Sequence, residues 1–327
     1  MTNVKPIEEI LSRYLEFSKT IDWNQKPIEL YDPVKYIMDQ QGKKLRPLSL
    51  MLISALTDAP LDVAAKAGYA IELFHNFTLA HDDIMDDAPL RRGKETMYKK
   101  YGQNSSILSG DVMLIESLRM MYEVEIATNK KDIVSTFVQA AREICEGQTM
   151  DMAFEQREDV SLEEYIEMIR LKTAVLIGCA MKIGAILGNT ETEFQNQIYS
   201  IGETLGITFQ IQDDWLDSYG DTSLVGKNAN GDIIQRKKTA LFLLALQKSN
   251  TMQKEKLLHL YDKKNNSDDR TQSTLSLFSD LEINSEIKTM IKSFETKSLN
   301  AIHQLNLNDK AQSTLIEFIN IIKNRNS

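Results

Sequence analysis

ELFHNFTLAHDDIMDDAP, from Glu72 to Pro89, is the stretch on which the fold turns. Apolar residues recur in it at three- and four-residue intervals, the spacing of a helix, until Asp82, Asp83 and Asp86 arrive just before Pro89 stops the run. Residues four apart in a helix lie roughly 40° from each other around its axis, so Asp82 and Asp86 share a face one turn apart. The same spacing returns in GITFQIQDDWLDSYGD, Gly206 to Asp221, where Asp213, Asp214 and Asp217 end a second apolar run. Like carboxylates crowded on an apolar helix repel one another and are costly to desolvate. A hard cation relieves that cost, and Mg2+ takes one or two carboxylates and completes its shell with water and phosphate oxygens. Two such clusters facing each other would hold several ions around one diphosphate. Acidic helix ends solvated at the surface are the bland alternative, which suits one cluster better than a matched pair.

Working outward, 327 residues allow one domain or two. With only 14 Gly and 6 Pro among abundant helix formers, the composition favours an all-α protein. Breaks fall near Asp58 to Asp62, Ala88 to Thr96, Gly188 to Thr192, Tyr219 to Gln235 and Asp262 to Thr274. No period-two strand and no short repeat stand out, so the expectation is one helical domain over 1–327, with Asp262 to Thr274 as a surface loop. A net charge of -9 disfavours a nucleic-acid partner, and an anionic ligand then needs local positive charge or bound cations. Cys145 and Cys179 lack metal-type spacing and are expected to be small buried thiols. The most apolar stretch, Val175 to Gly188, contains Lys182 and falls short of the roughly 20 residues a spanning helix needs. The charged, amphipathic N-terminus shows no secretory pattern, which points to a cytoplasmic protein without a transmembrane segment.

Basic residues accompany the carboxylates. Gly42-Lys43-Lys44-Leu45-Arg46-Pro47 precedes an apolar helix expected from about Leu48, and Lys43 and Arg46 are placed to grip a diphosphate, unless this is a solvated basic turn. His75 lies two helical turns before Asp82 on nearly the same face, where it is either a site residue or a core histidine. Arg91 and Arg92 follow the first cluster directly and either hold phosphate oxygens or compensate Asp86 and Asp87. Lys172 and Thr173 are adjacent in a helix, Gln210 precedes Asp213 by three residues, and Lys227 and Lys237 flank a Gly-rich loop able to close over an anion.

Taken in order, GKKLRP, HNFTLAHDDIMDDAPLRRG, EGQTMDMAFE, LKTAVL, FQIQDDWLD and GKNANGDIIQRKKT make the chain resemble the trans-type isoprenyl diphosphate synthases, the polyprenyl synthetase family that includes farnesyl and geranylgeranyl diphosphate synthases. The resemblance implies the isoprenoid synthase fold, a helical bundle around a deep central cavity, usually as a homodimer. It implies Mg2+ as cofactor, three ions with substrate bound, with Mn2+ as a substitute. Asp82, Asp86 and Asp213 would be direct ligands, and Asp83, Asp214 and Asp217 weaker or water-mediated ones. Lys43, Arg46, His75 and Arg92 would hold isopentenyl diphosphate. Arg91, Lys172, Gln210, Lys227 and Lys237 would hold the allylic diphosphate, with Thr173 and Gln210 facing the cation, and Gln148 and Asp151 match a motif lining the cavity. Asp82, Asp86, Asp213, Lys172 and Arg91 would thus carry the ionisation. Gln41 and Lys44 depart from the family's GGKRxRP pattern without removing an implied ligand, and the C-terminal basic residues Lys323 and Arg325 match only loosely.

In the family an aromatic residue five positions before the first Asp goes with short products. Phe77 stands there, with Thr78 and Phe74 beside it, so the expectation is a fifteen- to twenty-carbon chain, although Phe77 also suits ordinary core packing. A terpene cyclase would carry an Asn/Ser/Glu metal motif second, where this chain has DDWLD. A silent regulatory subunit would be expected to lose carboxylates, and here all six are present. A purely structural bundle is the remaining alternative.

Overall fold

The computed structural model describes residues 6–40, 42–91, 93–220, 230–262, 265 and 269–323. Among them every regular element is helical except one two-residue antiparallel hairpin, as the composition demands. The chain separates into two compact units. One is built on Met1–Ala141, Leu176–Gly202 and Gln304–Asn320, the other chiefly on Arg142–Val175 and Glu203–His303.

The first unit contains α1 (Ile7–Ser18), α2 (Ile28–Met38), α3 (Leu45–Leu56), α4 (Leu61–Met85), the hairpin β1 (Leu90–Arg91) and β2 (Lys94–Glu95), α5 (Met97–Tyr101) and α6 (Gln103–Thr128). α3 begins at Leu45, a turn earlier than its apolar run suggests, because the chain turns sharply at Lys44, whose backbone is left-handed (φ 48°, ψ 37°). α4 is its centre, buried on most sides, with Ala64, Ala65, Ala67 and Ala70 leaving little side chain between it and its neighbours. α7 (Ile133–Phe154) and α10 (Thr192–Tyr219) contribute residues to both units, and nearly all of α9 (Val175–Leu187) belongs to the first. On α9 a Cβ at Gly184 would stand 2.5 Å from the Leu50 carbonyl oxygen of α3, so a glycine is what this helix crossing admits.

The second unit holds α8 (Leu162–Ile169), a π-helical turn (Arg170–Ala174), α11 (Gly231–Gln235), α12 (Ala240–Lys248), α13 (Thr251–Tyr261), α14 (Arg270–Asp280) and α15 (Ile283–His303). α16 (Asp309–Lys323) closes the described chain. Capping boxes fix two starts: Ser161 with Glu164 at α8 and Asn250 with Gln253 at α13. The core of this unit gathers Tyr165, Ile169, Ile207, Ile211, Phe242, Leu257 and Phe278.

Three expectations need correction. The surface loop ends at Asp269, since Arg270 already starts α14 and Thr274 is buried on it. Cys145 is exposed, whereas Cys179 is buried as expected. The hairpin around Gly93 was not foreseen, because two-residue strands are too short to show alternation. Of the Gly-rich stretch, 221–229 lies outside the described residues and Gly231–Gln235 is helical. Among the described residues no helix is long and apolar enough to cross a membrane.

Candidate active site

The first carboxylate cluster occupies the last turn of α4. Asp86 is the C-cap residue, its amide donating to the Asp82 carbonyl at 2.9 Å, and its side chain is exposed. The Asp82 side chain is half-buried and that of Asp83 only 2% exposed. Beyond Asp86 the left-handed backbone of Asp87 and the hairpin with Gly93 at its turn fold the chain back. That reversal carries Arg91 onto Asp83: Nε and Nη2 donate to Oδ1 at 2.7 and 2.6 Å, and Nη2 lies 3.8 Å from Asp82. Burial pushes the Asp83 carboxyl above its ordinary value, while Arg91 pulls it back. Arg91 therefore pairs chiefly with Asp83, while the charges of Asp82 and Asp86 also act on it. Asp87 instead accepts from the Tyr98 hydroxyl at 2.7 Å and Lys99 Nζ at 3.2 Å, which hold it below the usual carboxylate range.

The basic turn before α3 reaches α4 from the other direction. Lys44, read as a mere departure from pattern, donates to the buried Glu72 at 2.9 Å. Arg46 Nη1 lies 3.1 Å from His75 Nε2; a guanidinium only donates, so the imidazole nitrogen accepts. Lys43 is exposed, and Arg92 and Lys227 lie outside the described residues. Phe74 is buried with its ring 5.2 Å from that of Phe137, and the half-buried Phe77 stands edge-on to His81 at 4.7 Å. Thr78 spends its hydroxyl on the His75 carbonyl at 2.8 Å.

In the second unit the three aspartates of α10 have three different surroundings. Asp213 is half-exposed. Asp214 is buried: Oδ2 accepts a short hydrogen bond from the Tyr165 hydroxyl and a 3.4 Å bond from the Ala240 amide, and Oδ1 accepts from Gln210 Nε2 at 3.2 Å. Burial, with Asp232 nearby, pushes the Asp214 carboxyl well up, and burial likewise raises the Tyr165 hydroxyl. Asp217 accepts from the amides of Gly231 at 3.1 Å and Asp232 at 2.9 Å, so its carboxylate caps α11. Lys172 Nζ is 2.5 Å from Asp151 Oδ2 on α7, and the Thr173 hydroxyl donates to Gln210 Oε1 at 3.3 Å. The Lys237 amide donates to the Asp232 carbonyl at 2.9 Å, while Lys238, which carried no sequence signal, binds the Phe154 and Arg157 carbonyls. Tyr165 was missed because on α8 it occupies an apolar position indistinguishable by spacing from Ile166 and Ile169.

These donors fit Mg2+. Among the described residues no three acidic, histidine or cysteine side chains converge into a ready-made cage. Asp82 and Asp86 in the first unit, and Asp213 in the second, are each at least partly exposed and offer the hard oxygens that suit an ion whose shell is completed by water and phosphate.

The sequence model of the polyprenyl synthetase family matches residues 27–278. A short chain isoprenyl diphosphate synthase of Methanocaldococcus jannaschii is 32% identical over 84% of this chain and 81% of its own. A geranylgeranyl diphosphate synthase of Methanosarcina mazei is 36% identical over 74% of this chain and 76% of its own. A crystal structure of a geranylgeranyl pyrophosphate synthase superposes with a TM-score of 0.90 at 36% identity, covering 97% of this chain and 98% of that one. The chain, an all-α prenyltransferase with the isoprenoid synthase fold, belongs to the polyprenyl synthetase family.

Proposed function

We propose that the protein is a Mg2+-dependent, short-chain trans-prenyltransferase that joins isopentenyl diphosphate to an allylic diphosphate (dimethylallyl, geranyl or farnesyl) and releases fifteen- to twenty-carbon products, with both units forming one catalytic domain over 1–327. The observation that carries it is the last turn of α4, where Arg91 pairs with the buried Asp83 while the Asp82 side chain is half-buried and that of Asp86 exposed. Relatives named for geranylgeranyl products fit the upper end of that range, whereas others of similar identity are named for the longer geranylfarnesyl product.

Bound Mg2+ would supply Lewis acidity to the departing diphosphate. Asp82, Asp86 and Asp213 would hold the ions; Asp83, Asp214 and Asp217 would act through the contacts described above. Lys43, Arg46, His75 and Arg92 grip isopentenyl diphosphate, His75 being oriented by Arg46. Lys172, Lys227 and Lys237 grip the allylic diphosphate, and Arg91, with two of its three nitrogens engaged by Asp83, offers the third. These cations stabilise charge on the leaving group as the allylic C–O bond ionises. The oxygen dipoles of Thr173 and Gln210 face the carbocation, the isopentenyl double bond attacks it, and the released diphosphate takes the proton. A second copy pairs with the first through the exposed stripe Leu108, Ile115, Tyr122 and Ile126 of α6.

Incubation of the purified protein with isopentenyl diphosphate and each starter, with chromatography of the products, tests this directly. Elongation should require Mg2+ and stop with a chelator, and Asp82→Ala should lower kcat by about a hundredfold or more with the helical circular-dichroism spectrum intact. Hydrocarbon formed from farnesyl diphosphate alone would mean a cyclase, and retained turnover by Asp82→Ala would remove the metal role.

A further inference from the structure

The π-helical turn Arg170–Ala174 is engaged at every residue. Arg170 pairs with Glu167 at 2.7 Å and with Glu203 of α10 at 2.6 Å. Lys172 reaches Asp151 on α7, and Thr173 reaches Gln210 on α10. The two remaining residues, Leu171 and Ala174, are buried against glycines. A Cβ on Gly147 of α7 would meet the Leu171 Cβ and carbonyl carbon at 2.8 Å, and a Cβ on Gly206 of α10 would meet the Ala174 Cβ at 2.6 Å. Neither separation is open to real carbon atoms, so both helices approach the turn as closely as they do because those positions have no side chain.

The register of these contacts is informative. Gly147 stands four residues before Asp151 and Gly206 four residues before Gln210, so each glycine sits one helical turn from the residue that its helix presents to the π turn. Adjacent residues of an ordinary helix do not face a common direction; here a widened turn sends Lys172 to one helix and Thr173 to another, with both helices drawn in by glycine. Gln210 is fixed from its other side as well. Its Nε2 donates to Asp214 Oδ1, and Asp214 Oδ2 is held by the hydroxyl of the buried Tyr165. With Nε2 committed to Asp214, the amide oxygen is the end left to meet Thr173.

We propose that Gly147, Gly206 and Tyr165 are positioning residues for prenyl transfer: the glycines seat the π turn that carries Lys172 and Thr173, and Tyr165, through Asp214, sets which end of the Gln210 amide faces Thr173. This inference rests on the assignment of Lys172, Thr173 and Gln210 to the allylic substrate, and it deepens that assignment by adding three residues that touch no substrate.

Steady-state kinetics of Gly147→Ala, Gly206→Ala and Tyr165→Phe, with each substrate varied in turn, tests it. Misplacing Lys172 and Thr173 by a fraction of an ångström to an ångström should lower kcat by about tenfold to a hundredfold. KM for the allylic diphosphate should rise, whereas KM for isopentenyl diphosphate should stay within about twofold, because none of its proposed ligands belongs to this network. A purely structural defect would lower the active fraction and leave both KM values alone. Tyr165→Phe removes one oxygen and keeps the ring, so it decides the matter if either alanine variant fails to melt cooperatively. Wild-type kcat and KM values in folded Tyr165→Phe, or a parallel change in both KM values, would overturn the proposal. Failure of the wild type to elongate any starter would instead sink the assignment beneath it.

Discussion

Phe77 stands five residues ahead of Asp82, half-buried and edge-on to His81. If its ring limits how far an apolar chain extends, Phe77→Ala should yield longer products from the same starter, and an unchanged product length on reversed-phase chromatography would return Phe77 to ordinary packing. Asp214 gives a second residue-level expectation. Its folded-state value lies well above the ordinary 3.8, so the native protein binds that proton more tightly than the unfolded chain does. As pH rises from that ordinary value towards the folded one, the unfolded chain is charged first, and the native state loses stability relative to it. In chelator-treated protein the melting temperature of Asp214→Asn should therefore gain on the wild type as pH is raised, and a difference independent of pH would contradict the upward shift that burial gives this carboxyl. At this scale the candidate residues stood out because carboxylates at helical spacing, with cations beside them, interrupt an otherwise apolar helical run. Partners were less legible: nothing in the sequence says that Arg91 folds back onto Asp83, since the reversal runs through the left-handed backbone of Asp87.

At the scale of elements, helix was readable from periodicity almost throughout, and the misses lie where periodicity has nothing to report. A two-residue strand has no alternation, a left-handed Lys44 shifts the start of α3 by a turn, and a π turn inside an apolar run leaves the same composition as an unbroken helix. Helix crossings were equally silent, because a glycine in a helix can signal weakness or intimacy. Gly184 signals the second: a Cβ there would press on the Leu50 carbonyl oxygen at 2.5 Å and on Ile53 Cβ at 3.0 Å. Gly184→Ala should cost about 1 to 3 kcal/mol as α3 and α9 move apart, measured by denaturant unfolding. An unchanged midpoint would show that the crossing gives way at no cost.

At the scale of the molecule, family membership rests on a match from residue 27 to 278, and the motifs that first suggested it all fall within that span. What the motifs did not reveal is the surface. Leu108, Ile115, Tyr122 and Ile126, each between 56% and 63% exposed, run along one side of α6. A two-fold partner would place this self-complementary patch against its own copy. If the proposed dimer forms through this patch, Ile115→Asp should weaken it by about tenfold or more in sedimentation velocity, and association of undiminished strength would place any interface elsewhere.

The three aspartates of α10 share one motif but not one employment: Asp213 is partly open to solvent, Asp214 anchors a tyrosine and an amide, and Asp217 bolts down the start of a short helix. An alanine scan across DDWLD would consequently report on three unrelated injuries, and three inactive mutants would amount to one vote for a metal ion rather than three.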